Sequence, residues 1–177
     1  TRAGIAVPPG FVVTTGAFER FVAALDLRGE VEALDPDALD FVQQRTAAIR
    51  ARVEAESLPA EIEAAIRTAL AELAPNGEPV AVRSSATTED AEDASFAGLQ
   101  DTYLWVIGAD AVIDRVRACW ASLYSVESVC YRRRQGLPEA GVAMGVVVQR
   151  MVDARCAGVM FTRSPTTGDR SVITIEG

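Results

Sequence analysis

Neither lysine nor histidine occurs anywhere in the 177 residues, and all 17 cationic side chains are arginines. The chain therefore cannot supply a phosphate-binding or catalytic lysine, a histidine that carries a phosphoryl group, a histidine general base or a histidine metal ligand. Cysteine is scarce as well. Cys119, Cys130 and Cys156 are odd in number and lack C-x-x-C spacing, so neither a disulfide framework nor a zinc site is indicated. Buried free thiols in a reducing cytoplasm are expected. No run approaches the roughly 18 apolar residues that a spanning helix needs, and no charged-then-apolar signal pattern opens the chain. Without an initiator methionine, a chain starting at Thr1 reads as a piece of something longer, and a cytoplasmic location is expected.

Positive charge is in deficit. The 17 cations face 25 acids for a net charge of -8, which argues against a general nucleic-acid or membrane-surface binder, because both depend on positive fields. A small or local ligand fits better. The 49% hydrophobic content suffices to bury the core of one domain, or of one domain and part of another.

Read in order, Pro8, Pro9 and Gly10 precede a short apolar strand, Phe11 to Val13. A threonine cap follows, then a helix with Phe18, Phe21, Val22 and Leu25 at helical spacing. Asp35-Pro36 is a cap and first-turn pair for a helix running to the Ser57–Pro59 break, and Pro59 opens another that ends at the Asn76-Gly77 turn. Both helices read as packing elements. Gly108 and Asp110 introduce a helix whose Val112, Val116, Cys119, Trp120 and Leu123 form one apolar face, its aromatics expected in the core. A helix over Val126–Gln135 ends in Arg132-Arg133-Arg134 and stops at Gly136. Three consecutive arginines could meet phosphate, but cations at a helix C-terminus also complement its dipole, and that reading is preferred. From Gly141 the period changes: Gly141–Val152, Cys156–Thr162 and Ser171–Ile175 read as strands, and their short connections predict an antiparallel meander.

The stretch least easily explained as core is VAVRSSATTEDAEDASFAGLQDTYL, Val80 to Leu104. It reads as a strand, a long loop and a strand, and loops of this length inside a domain tend to be functional or disordered. Arg83 stands where the first strand meets the loop, and its forked donors suit phosphate. Gly98 stands at the exit, where backbone N–H groups can approach a ligand. Glu89, Asp90, Glu92, Asp93 and Asp101 oppose an anionic ligand, so these acids must point away or help hold a divalent cation. A solvated surface hairpin is the alternative on composition alone.

This stretch closely resembles the nucleotide-binding region shared by phosphoenolpyruvate synthase, pyruvate phosphate dikinase and rifamycin phosphotransferase. The resemblance extends through GIAVPPGFVVTT, CWASLY, VVVQRMV and AGVMFTRSPTTGD, and it departs at Leu99, where relatives usually carry glutamine. It implies an α+β fold: residues 1–140 as the first lobe of an ATP-grasp-like nucleotide-binding domain, and 141–177 as the opening antiparallel strands of a second lobe. It also implies an ATP-dependent phosphotransferase that passes phosphoryl to a histidine on a separate domain and then to an acceptor such as pyruvate. By resemblance Arg83, Gly98 and Thr102 face phosphate, Arg83 as the catalytic contact, while Gln149 and Met151 lie at the adenine end. ATP and Mg2+ are the implied cofactors, with the metal carboxylates expected beyond Gly177 and a lysine-bearing turn before Thr1. The implied partners are the phosphohistidine and acceptor domains of a parent protein, and the isolated piece is expected to be inactive. The alternatives are a non-catalytic nucleotide-binding module and a protein-interaction module.

Overall fold

The computed structural model describes Gly4 and residues 6–86 and 101–177. Among them the chain forms β1 (Gly10–Val13), α1 (Thr15–Ala23), α2 (Arg28–Glu32), α3 (Leu39–Ala55), α4 (Ala60–Leu73), β2 (Val80–Ala86), β3 (Thr102–Val106), α5 (Ala109–Ser122), α6 (Val126–Arg134), β4 (Met144–Arg150), β5 (Val159–Phe161) and β6 (Thr174–Glu176). The class is α+β with antiparallel sheets, as expected. Four strands form one sheet in the order β1-β4-β2-β3, and β5 and β6 form a separate hairpin.

That order corrects the meander expectation. β4 pairs with β1 on one side and β2 on the other, leaving β5 and β6 to pair only with each other. The cause lies in the run GVVV: Met144, Val146 and Val148 are buried in the main core, which demands a central position in the first sheet.

The sheet has two unlike faces. Side chains alternate along a strand, and in these registers Val80, Val82, Val146, Val148, Val13 and Val106 all fall on one face and are buried there. Against it pack α1, α4 and α5, while α3 packs on α5 and α6. Trp120 of α5 is wholly buried between Phe18 and Phe21 of α1, at ring-centroid distances of 5.8 and 4.9 Å, so the aromatics are core, as the spacing predicts.

Several boundaries move. Asp35 does not cap α3; its Oδ1 accepts from the Asp37 N–H at 3.0 Å, a local turn that competes with helix, and α3 begins at Leu39. The short α2 was not anticipated. Thr14 precedes α1 without a side-chain cap bond. Gly108 takes φ 88° at the entry to α5, a conformation only glycine adopts without strain.

The three arginines of α6 do more than complement its dipole. Arg132 is buried, donating to Leu123 O at 2.8 Å and pairing with Glu139. Arg133 reaches Leu34 O and Arg134 reaches Pro36 O, at 3.2 and 3.3 Å. They tie α6 to the segment between α2 and α3. Cys119 and Cys130 are buried, but Cys156 is exposed, because it lies beyond β4 where little packs around it, contrary to the expectation for all three.

Candidate functional site

Arg83 lies in β2 with Thr102 directly opposite on β3 and Val147 opposite on β4. Through Val147 the row continues to Val12 of β1. The next row on this face runs Gly10, Gln149, Ala81, roughly 7 Å further along the strands at about 3.3 Å per residue. Both rows lie on the face opposite the helices. Arg83 and Thr102 are exposed and Gln149 is half-buried. The structure thus brings three of the sequence-predicted residues to one open surface of the sheet. Met151 stands one residue past β4, half-buried. Gly98 and the acids Glu89 to Asp93 lie outside the described residues.

The end of β4 is tied on both sides. The Gln149 Nε2 donates to Pro8 O at 2.9 Å, the Arg150 N–H donates to Pro9 O at 3.0 Å, and the Met151 N–H donates to Pro79 O at 3.0 Å. Gln149 therefore has a structural duty in addition to any ligand. Gly10, opposite Gln149, has no room for a side chain: a Cβ there would sit 2.6 Å from Val148 O.

Of the acids expected to point away or help hold a divalent cation, Asp101 alone lies among the described residues, and it points away. One residue before Thr102, it belongs to the helix side. Its carboxylate accepts from the Tyr103 hydroxyl at 2.8 Å. Its carbonyl accepts from the Ser84 N–H at 3.3 Å, from Ser84 Oγ at 3.0 Å and from Cys119 Sγ at 3.7 Å. The Arg115 guanidinium stacks on the Tyr103 ring, 4.7 Å from its centroid. Burial, and then Asp101, push the Tyr103 hydroxyl up from its ordinary range. The same two causes raise the Cys119 thiol to about 12. Sequence reasoning missed Ser84, Tyr103 and Cys119 as a group. The available signal was the two-residue period, which puts the neighbours of Arg83 and Thr102 together on the reverse face.

β3 carries a bulge opposite Val80–Val82, where Trp105 takes φ 58°, a region bulky residues rarely occupy. Among the described residues no cluster of three or more His, Cys, Asp or Glu could hold a metal ion, and no helix is long and apolar enough to cross a membrane. A cavity of about 430 Å³ lies on the helix side among Phe18, Asp26, Arg28, Tyr124 and Glu139. None of Arg83, Thr102, Gln149 or Met151 lines it. Donor geometry, rather than concavity, marks the candidate site, because one sheet face is a single wall and a ligand cleft requires two.

The family model described as "Pyruvate phosphate dikinase, AMP/ATP-binding domain" matches residues 1–177. The chain belongs to this family. Among curated relatives of this ATP-binding domain, a probable phosphoenolpyruvate synthase from Staphylothermus marinus is 45% identical over 185 residues, covering 99% of the chain and 22% of the relative. A rifampicin phosphotransferase from a Streptomyces species is 46% identical over 179 residues, covering 98% of the chain and 20% of the relative. The phosphoenolpyruvate synthase of Pyrococcus furiosus is 38% identical, covering 99% and 26%. The chain spans about a fifth to a quarter of the length of these relatives.

Proposed function

We propose that this chain is the first lobe of an ATP-grasp-like nucleotide-binding domain together with the opening strands of the second lobe. The longer protein carrying it would move phosphoryl from ATP to a histidine on a separate domain and on to an acceptor such as pyruvate. The observation that carries this reading is the direct opposition of Arg83 and Thr102 on the open face, with Gln149 one row away on the same face. A permanently charged fork beside a hydroxyl suits phosphate oxygens. Glycine and alanine on either side of Gln149 leave a flat patch for a planar base, and its amide can both donate and accept. Gly98, by resemblance, approaches the phosphates through its backbone, and Met151 flanks the base.

The carboxylates that would hold Mg2+ are proposed to come from outside this chain, and the metal would supply neutralisation of phosphate charge. With no histidine among its residues, the chain needs its phosphoryl carrier from elsewhere, so the isolated 177 residues are expected to turn over no ATP. The resemblance puts the change of lobe at residue 141, before β4; the pairing of β4 with β1 and β2 supports proposing it later, between β4 and β5.

Calorimetry with ATP and magnesium on the longer protein, wild type and Arg83→Ala, together with an assay of phosphoryl transfer, tests the reading. Weakened binding and lost turnover on Arg83→Ala are expected. Unchanged ATP affinity would overturn the site, and a wild-type protein that binds ATP without turnover would make this a sensing module.

A further inference from the structure

Directly behind Arg83 and Thr102, the reverse face of the hairpin holds a small polar cluster that no ligand contact explains. Ser84 and Asp101 immediately follow and precede the proposed phosphate pair in sequence. The Asp101 carbonyl gathers three donors, the Ser84 N–H, Ser84 Oγ and Cys119 Sγ. Its carboxylate is held by the Tyr103 hydroxyl, and Tyr103 is held by Arg115 of α5 above its ring. A surface hairpin needs only its ladder bonds to pair. Here the strand ends flanking the 87–100 segment are bound side chain to backbone and stitched to α5 at two points, Cys119 and Arg115.

Resting on the nucleotide-site reading above, we propose that Tyr103, Asp101 and Ser84 form a positioning device for the phosphate contacts. The cluster anchors the end of the β2–β3 pairing at Arg83 and Thr102, and so fixes the separation of the Arg83 guanidinium and the Thr102 hydroxyl that must converge on one phosphate group. The physical reason is orientation: bidentate recognition by arginine is geometrically demanding, and a sub-ångström displacement of a supporting strand lowers the strength of every bond aimed at the ligand. The cluster also holds the carboxylate of Asp101, next to Thr102 in sequence, on the helix side with Tyr103, where it does not repel an anion.

The test measures ATP affinity with magnesium by calorimetry on the full-length protein, in wild type, Tyr103→Phe, Arg83→Ala and the double variant. Tyr103→Phe keeps the ring under Arg115 and removes only the hydroxyl, and Ser84→Ala serves as an independent second perturbation. Each is expected to weaken ATP binding about three- to ten-fold, the range for loss of one intramolecular hydrogen bond, with binding stoichiometry unchanged. A purely structural role would lower the stoichiometry by reducing the folded fraction and leave the dissociation constant alone. On the Arg83→Ala background Tyr103→Phe is expected to have a clearly smaller effect, because one of the two groups it positions is gone. If Arg83→Ala weakens binding while Tyr103→Phe and Ser84→Ala do not, or if the Tyr103→Phe loss persists undiminished without Arg83, the positioning role is overturned and the site stands. If Arg83→Ala leaves affinity intact, the site itself is overturned.

Discussion

Arg132 and Glu139 form a two-point ion pair inside the protein, Nε to Oε1 at 3.0 Å and Nη2 to Oε2 at 3.2 Å, with side-chain exposures of only 1% and 6%. Removing one partner strands the other charge. Glu139→Ala is expected to cost about 3–5 kcal/mol of stability, whereas replacing both partners by apolar residues of similar volume costs far less. Urea unfolding of Glu139→Ala and of the Arg132→Met, Glu139→Leu pair checks this; equal losses would contradict it.

Arg83 offers the opposite profile. It is exposed and supports no core contact, so Arg83→Ala should alter folding stability by no more than about 0.5 kcal/mol. Its effect on ATP binding should be larger, about 1.5–3 kcal/mol for charged hydrogen bonds. Arg83→Lys keeps the charge but loses the fork, and should recover only part of that affinity. Thermal melts and calorimetry on the same samples separate the two quantities.

Gly10 and Gly145 predict a contrast between neighbouring strands. A Cβ at Gly10 would press on Val148 O, while at Gly145 the nearest atom, Val13 O, would be an ordinary 3.5 Å away. Gly10→Ala should therefore cost about 1–3 kcal/mol as β1 is displaced from β4, and Gly145→Ala should be tolerated. Equal stabilities in denaturant would overturn the assigned packing of β1.

Glu30 links α2 to α3 through Arg52 and Arg45, at 2.5 and 3.0 Å. Those arginines, Arg52 foremost, hold its carboxyl below the usual glutamate range. A depressed carboxylate contributes stability above its unfolded pKa and loses it as pH falls through the folded value. Wild type should exceed Glu30→Gln in stability at neutral pH, and the gap should close on acidification below about pH 4.3, the ordinary glutamate value. A gap that persists at pH 2 would contradict this.

Thiol chemistry should separate the three cysteines. Cys156 is exposed, while Cys119 is buried with its pKa pushed up to about 12. Since the thiolate is the reactive species, a thiol reagent at pH 8 should label one cysteine rapidly in the native protein and all three only in denaturant.

Much of this was legible because local chemistry and fold agree. The valine-rich GVVV run announced a buried strand, the Phe18, Phe21 and Trp120 spacings announced the helix face that meets it, and β3 emerged as the strand expected after the long loop. Strand order was not legible. Nothing local in β4 says that it inserts between β1 and β2, because the pairing is decided by burial against helices distant in sequence. The same limit hid Arg132: three adjacent arginines look alike in sequence, and only the fold turns one inward to Glu139. At the site, donor chemistry pointed to Arg83 and the resemblance added Thr102 and Gln149, while their shared face follows from registers that the sequence does not print.

The two tryptophans occupy opposite extremes of the fold. Trp120 is sealed in the core beside Phe18 and Phe21, and Trp105 stands 56% exposed on the bulged edge strand, three residues from Thr102. Intrinsic fluorescence therefore contains two separable reporters. The blue-shifted, poorly quenched emission of Trp120 tracks global unfolding, while the red, iodide-accessible emission of Trp105 samples the hairpin rim, where anything settling on the open face would first change the light.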